Sequence, residues 1–144
     1  MFNGIKKGIA AAIHTWYPDS KIFAETVTQG IKPKTFLITM ISPSIKGEMC
    51  ASRTYDAVFA IQYFPQGPEK KTEIYDVIDT LEDALETITI PAGGNLSTAV
   101  MARRIKAESD IVDNVLTYKV RYIARTYIPV ADTDMSNVAV TVKG

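Results

Sequence analysis

The sequence has few of the residues on which metal sites and many enzymes depend. One cysteine, Cys50, and one histidine, His14, occur among the 144 residues. A single cysteine excludes an internal disulfide, and a lone histidine without a second histidine or another cysteine supplies no zinc ligand set. We interpret His14 as a surface or core-edge side chain and Cys50 as a structural thiol.

The sequence also contains no motif for a phosphate-binding loop or a catalytic pair of acids. The only glycine pair, in GGN at residues 93–95, precedes a strand candidate, whereas a phosphate loop opens a helix. The carboxylates of residues 73–86 recur along the polar side of a helix pattern, which is typical of a solvated face. We therefore predict a protein without enzyme activity, cofactor or metal.

Neither sign of charge is in excess, since 16 basic residues balance 16 acidic ones. Proteins that bind nucleic acid through general electrostatics usually show a basic excess, and an anionic membrane is disfavoured for the same reason. No apolar run approaches the roughly 20 residues of a membrane span. The N-terminal stretch does not resemble a signal peptide, so we expect synthesis in the cytoplasm.

The chain contains a pattern of elements that predicts one α+β domain: a mainly antiparallel sheet with two helices packed on one face. Strands are predicted at KIFAETVTQ, TFLITMIS and RTYDAVFAIQYF, with PSIKGEM as a loop before the third. A second helix and a hairpin that turns at SDIVDN follow. We expect the domain to cover residues 1–128, and residues 129–144 to form a C-terminal extension or arm.

Apolar spacing predicts the two helices and their buried stripes. Asn3 is placed to cap the first helix, Pro18 follows its end, and Pro68 suits the first turn of the second. The second apolar stripe runs from Ile74 to Ile88 through PEKKTEIYDVIDTLEDALETI. From both helices and the strands we expect these core residues: Trp16, Phe36, Phe59, Ile78, Leu81, Leu85 and Val120.

The stretch VLTYKVRYIARTYI predicts a strand with one buried face and one basic face. Apolar or small residues alternate with Lys119, Arg121 and Arg125, and alternate side chains of a strand point to opposite faces. Arg103 joins this basic face if the register of the hairpin allows it. Single-stranded nucleic acid is one conceivable partner, through Tyr118, Tyr122 and Tyr127, but the first two tyrosines share the apolar face, opposite the cations.

Several stretches resemble the tail terminator (tail completion) proteins of phages and prophages of Gram-positive bacteria and of related phage-tail-like particles. In order they are the opening helix with GI and AAI, AETVTQGIKPKTFLITMISPS, YDAVFAIQYFP, EIYDVIDTLEDALETI and IVDNVLTYKVRYIARTY. QG-x-x-P and the Tyr-Phe-Pro strand end are the sharper marks. The likeness covers about residues 1–128.

The resemblance implies a ring, commonly a hexamer, at the head-proximal end of the tail tube of a virion. Such a ring stops tube growth and offers a docking surface to the head. The implied partners are further copies of the chain, the tail tube protein, a head connector protein and, in contractile particles, a sheath protein, with DNA only passing through. The alternatives are another head–tail connector, such as a stopper or adaptor, or a single-strand nucleic-acid-binding module.

A ring needs two different matching patches on each subunit, and the charge pattern suggests a pair. We expect an acidic helix surface to meet the basic strand face of a neighbour, and these residues to lie at the subunit interface: Glu73, Asp76, Asp79, Glu82, Asp83, Arg103, Lys119, Arg121 and Arg125. Residues 137–142 of the arm, NVAVTV, are expected to contact an adjacent subunit or the tube.

Overall fold

The protein folds into two helices and six strands in a computed structural model that describes residues 1–23, 34–48, 52–65, 67–68, 70–93, 96 and 98–127. The elements, in chain order, are α1 Phe2–Trp16, β1 Lys21–Phe23, β2 Thr35–Glu48, β3 Ser52–Phe64, α2 Lys70–Ala84, β4 Thr87–Ile90, β5 Val100–Val112 and β6 Val115–Tyr127. The predicted arm, residues 129–144, and Cys50 lie outside the described residues.

The six strands form one sheet in the order β1-β2-β3-β6-β5-β4. Every neighbouring pair is antiparallel except β1 and β2, which run parallel over Lys21–Phe23. Asp113 and Asn114 both have positive φ, 52° and 60°, which is the geometry of a two-residue type I′ hairpin turn. This mainly antiparallel α+β fold, with both helices against one sheet face, confirms the predicted fold class.

The core lies between that sheet face and the two helices. The alternation predicted for β6 is observed, and β3 shows the same pattern. These ten side chains are buried: Tyr55, Ala57, Phe59, Ile61, Tyr63, Leu116, Tyr118, Val120, Tyr122 and Ala124. From the helices, α1 contributes Ile5, Ile9 and Ile13, which have no exposed surface. Fully burying side chains of this size contributes roughly 1.5–3 kcal/mol each.

The helix predictions need several corrections. Trp16 was expected in the core but is 53% exposed, and the residue after it, Tyr17, packs against Phe36 of β2 instead. Ile78 is only partly buried, although it packs against the core. Met1, without a side-chain hydrogen bond, holds the N-cap position expected for Asn3, and α2 begins at Lys70, after Pro68.

The predicted strands differ from the observed strands at their ends. PSIKGEM was expected to be a loop, but β2 continues through it to Glu48, because a proline can be accommodated in a strand at a sheet edge. Ile88 belongs to the separate strand β4 rather than to α2, and the turn predicted at SDIVDN is confined to Asp113 and Asn114. Of KIFAETVTQ, only Lys21–Phe23 lies within the described residues.

Candidate assembly surfaces

The basic sheet face is the side of β6 and β5 that points away from the helices, and carries Arg103, Lys119, Arg121 and Arg125. Lys119 and Arg125 are exposed on β6. Arg104 pairs with Tyr122, whose side chain is buried, so the adjacent Arg103 points to the opposite, basic side. The structure thus brings the four predicted cations onto one face.

Part of this basic charge is neutralised within the chain. Arg121 donates two hydrogen bonds to Asp56 of β3, from Nε to Oδ1 at 2.9 Å and from Nη2 to Oδ2 at 2.6 Å. These bonds hold the pKa of Asp56 below its ordinary value. Arg103 also forms an ion pair with Glu86, at 3.4 Å between exposed side chains.

Two further cations of β5, Arg104 and Lys106, each have a partner within the chain. Arg104 turns to the helix side, where it donates to the backbone oxygen of Glu82 at 2.8 Å and to the Tyr118 hydroxyl at 3.3 Å. It therefore ties β5 to α2 rather than adding to the basic sheet face. Lys106 lies 3.7 Å from Glu108 in an exposed ion pair.

The acidic helix surface of α2 comprises Glu73, Asp76, Asp79, Glu82 and Asp83. The last four are exposed. Glu73 is instead half-buried and accepts hydrogen bonds from the Tyr63 hydroxyl at 2.6 Å and the Gly67 amide at 2.8 Å. Burial, together with the bond to this carboxylate, raises the pKa of Tyr63. Glu73 thus fixes the start of α2 to β3.

The two charged surfaces lie on opposite sides of one subunit. α2 packs on the side of the sheet where the Tyr122 hydroxyl donates to the Leu85 backbone oxygen, and the basic sheet face is on the other side. The structure therefore does not bring the acidic and basic residues together within the chain. Their predicted meeting between neighbouring subunits stays a prediction.

The tyrosines needed for base stacking are in the core. Tyr118 and Tyr122 are buried on the helix side, and burial raises the pKa of both phenols. The Tyr127 side chain lies outside what the structure describes. On the described part of β6, the exposed cations and the buried aromatic rings are on opposite faces, which does not favour a stacking surface.

In the ranges that the structure describes, no group of three or more His, Cys, Asp or Glu side chains could hold a metal ion. Neither α1 nor α2 is long and apolar enough to cross a membrane.

One surface feature was missed by sequence reasoning: exposed large apolar side chains along the outer strands. Eight such side chains are exposed in the described residues, and six lie on β2 and β5: Met40, Ile41, Ile45, Met101, Ile105 and Val112. Ile41 and Ile105 each sit where the strand register shifts, at a β-bulge. Apolar residues in a strand pattern are normally predicted to lie in the core. Only the order of the strands in the sheet could have revealed that these side chains are exposed.

Comparison with known proteins places the fold in a family. A virion structure of a native gene transfer agent particle contains a chain that aligns with 83% of this chain and 92% of its own length, at 11% identity and a TM-score of 0.48. A search of curated proteins gave no match. A family model described as phage tail terminator protein matches residues 4–134. The match covers most of the chain and confirms the resemblance seen in the sequence: the chain belongs to the phage tail terminator protein family, a family of tail structural proteins.

Proposed function

We propose that this protein forms a ring on the head-proximal end of a phage or phage-like tail tube, ends tube polymerisation there and presents the surface on which the head docks. The observation that carries the proposal is the family match over residues 4–134. A hexamer is the subunit number that the family resemblance suggests. Synthesis and assembly take place in the host cytoplasm.

The surface of the subunit is consistent with a role in assembly rather than in catalysis. A cap must contact its own copies laterally, the tube below and the connector above, and therefore needs several distinct contact surfaces. The fold offers an acidic helix surface on one side, a basic sheet face on the other and two strands with exposed apolar side chains. We propose that these surfaces make the contacts with neighbouring subunits, the tube protein, the head connector and, in a contractile tail, the sheath.

DNA enters this proposal only as a molecule in transit through the ring. The chain as a whole is neutral, and Asp56 and Glu86 already neutralise two of the four cations of the basic sheet face. A tightly held DNA would oppose ejection. We therefore assign the basic sheet face to protein contacts.

Tube growth in vitro tests the proposal. The tail tube protein is polymerised with and without this protein, and tube lengths are measured by negative-stain electron microscopy. Capping predicts that tubes shorten as the protein is added, and that preformed tubes stop elongating. Unchanged growth at saturating protein would contradict the proposed function.

The arm is included in the proposal as a separate contact. We propose that residues 137–142 reach an adjacent subunit or the tube, as a short strand can add to a neighbour's sheet edge. A chain truncated after residue 128 should then cap tubes less effectively. Capping by the truncated chain equal to that of the full chain would remove the arm from the account.

A further inference from the structure

The two outer long strands of the sheet, β2 and β5, are each paired on their outward side over only a short stretch. Within the described residues, β1 covers β2 at Thr35–Leu37, and β4 covers β5 from Val100 to Arg103. The β2 edge, residues 38–48, and the β5 edge, residues 105–112, are not paired on their outer sides within that described part. An open strand edge is a template for pairing with another chain.

The apolar side chains of the subunit's surface concentrate at these same strands. Exposed fractions for the six apolar residues of β2 and β5 range from 38% to 73%. Beside the β5 edge, α2 and β5 form a groove in which Ile78, Ile105 and Ala107 lie among polar and charged side chains, which make up most of its lining. A strand added to β5 would cover this groove, and with it the exposed part of Ile78.

On these observations we propose that the β2 edge of one copy docks on the β5 edge of the next copy, so that neighbouring sheets join edge to edge. This deepens the proposed function, on which it rests, by assigning the contact that builds the ring. The contact is head-to-tail, because two different edges meet, and repeated head-to-tail contacts close into rings when the rotation allows.

Strand direction favours this pairing. β2, β3, β6 and β5 alternate in direction across the sheet, so β2 and β5 run opposite ways. Rotating a copy about an axis roughly along the strands places its β5 beside β2 as an antiparallel neighbour. The alternation then continues from one subunit to the next, with the more stable kind of pairing.

The positions of the two edges along the strand direction also fit a closed ring of subunits. Pro43, at the middle of the β2 edge, pairs with Ala57 of β3, which in turn pairs with Tyr122 of β6. Glu108, near the middle of the β5 edge, pairs with Lys119 of β6. The midpoints of the two edges therefore differ by three residues when both are referred to β6. This three-residue offset is about 10 Å along the strands, over a width of ~19 Å for four strands. Joining the edges would therefore tilt the strands by about 30°, near the 35–45° of closed barrels.

The buried area is adequate only when each subunit makes two contacts. An eight-residue edge about 26 Å long and ~10 Å deep buries on the order of 500 Å² per subunit once side chains are included. One contact is therefore smaller than the ~800 Å² per partner of a standard interface, and in a ring every subunit makes two such contacts. A single edge contact is then weak, and ring closure stabilises it.

Pro43 and the bulge at Ile41 limit how far main-chain pairing can extend along the β2 edge. A proline has no amide hydrogen to donate, and a bulge interrupts the ladder. Such features protect edges against indiscriminate pairing. The apolar side chains therefore supply much of the contact, and they are the groups to change in a test.

Four full-length variants test the contact. A β2-edge variant carries Ile41→Glu with Ile45→Glu, and a β5-edge variant carries Ile105→Glu with Val112→Glu. Tyr75→Glu is the matched control, because Tyr75 on α2 is 54% exposed, as is Ile105. Asp79→Lys with Glu82→Lys tests the acidic helix surface. Circular dichroism verifies that each variant is folded, and sedimentation velocity at high protein concentration gives its assembly state.

We expect the wild type and Tyr75→Glu to form rings and each edge variant alone to stay monomeric. An equimolar mixture of the two edge variants should give a one-to-one pair of twice the 15.9 kDa subunit mass, because each retains the edge that the other lacks. The acidic-surface variant distinguishes the edge contact from the predicted meeting of the acidic helix surface with a neighbour's basic sheet face. It should keep its ring if the edges build the contact, because edge-joined neighbours have their helices on the same side of the sheet, and loss of the ring would favour the charged surfaces instead.

Rings formed by either edge variant, pairs formed by one variant alone, or a mixture that associates no more strongly than either variant alone across the concentration range would overturn the edge contact. So would loss of the ring in Tyr75→Glu, or a wild type that remains monomeric. If the wild type instead grows into open chains that the edge variants abolish, the edge contact holds and the proposed ring fails. If wild-type and edge-variant rings both cap tubes, the proposed function stands and the edge contact fails.

Discussion

At the scale of the residue, Arg121 has its counter-ion in its own chain, on the neighbouring strand β3. Its two bonds to Asp56 lower the pKa of that carboxyl. We predict that Arg121→Ala returns the pKa of Asp56 towards its ordinary value, whereas Lys119→Ala on the same face leaves it unchanged. An NMR titration of the Asp56 carboxyl measures this, and an unaltered pKa in Arg121→Ala would refute the assignment.

The ion pair of Arg121 and Asp56 makes the stability of the fold slightly dependent on pH. A carboxyl whose pKa is lower in the folded state stabilises the fold above its unfolded pKa, near 3.9, and loses that contribution as the pH falls through the folded value. Because both side chains are partly exposed, solvent screening keeps this contribution small. It should therefore be present at neutral pH and absent in strong acid.

A second residue, Tyr122, links the sheet to the chain segment after α2. Its buried hydroxyl donates to the Leu85 backbone oxygen, and burial raises its pKa. Because the folded pKa is the higher one, the stabilisation is complete below the unfolded pKa of about 10 and is lost as the pH rises towards the folded value.

We predict that Tyr122→Phe lowers the free energy of unfolding by about 1–3 kcal/mol at neutral pH, because the Leu85 carbonyl loses its buried donor. The variant should also lose less stability than the wild type when the pH is raised above about 10, the ordinary pKa of a tyrosine. Urea unfolding at neutral and alkaline pH measures both effects, with Tyr75→Phe on the exposed helix surface as the control. An alkaline loss as steep as that of the wild type would contradict the role of Tyr122.

Residue-level prediction from sequence succeeded where a period of two or 3.6 determines burial, and failed where partners come from distant parts of the chain. Alternation placed Lys119 and Arg125 on the face away from the core. No local pattern indicated that Asp56, 65 residues away, would pair with Arg121. The sequence pattern also did not show where the buried stripe of α1 ends: Trp16 has the right spacing, but Tyr17 makes the contact with the sheet.

At the scale of the element, α1 approaches the sheet so closely that one of its positions has no room for a side chain. A Cβ on Gly8 would lie 2.6 Å from the backbone oxygen of Thr89 in β4. Gly8→Ala should therefore push α1 away from β4 and cost about 1–3 kcal/mol of folding stability, although alanine favours a helix by ~1 kcal/mol over glycine.

Denaturant unfolding of Gly8→Ala measures this cost. Gly47→Ala is the control, because a Cβ at Gly47 meets no atom within 4 Å, and its stability should stay within about 0.5 kcal/mol of the wild type. A Gly8→Ala variant more stable than the wild type would show that α1 and β4 are not in close contact.

Element prediction was accurate for element type and weak at boundaries. The helical spacing of Leu85 and Ile88 continued the stripe of α2 by coincidence, and so concealed β4. Proline and glycine in PSIKGEM indicated a loop, but the partner strand β3 keeps β2 extended there. Both errors arise because strand pairing is a tertiary contact that local sequence does not encode.

At the scale of the whole molecule, assembly surfaces follow from strand order, which the sequence pattern did not reveal. Apolar residues on both faces of a strand, as in TFLITMIS of β2, are typical of a central strand, yet most of the outer edge of β2 lacks a paired strand among the described residues. The predicted charged surfaces are present but lie on opposite sides of the sheet. The apolar edges are the pair of unlike patches that we propose for the ring.

The location of the protein on growing tubes tests the central claim most directly. Tubes are polymerised with gold-labelled protein and viewed by electron microscopy, with the label attached away from β2 and β5. The account predicts label at one end of each tube only, with growth stopped at that end. Label along the tube walls, at both ends, or at an end that continues to elongate would contradict the account.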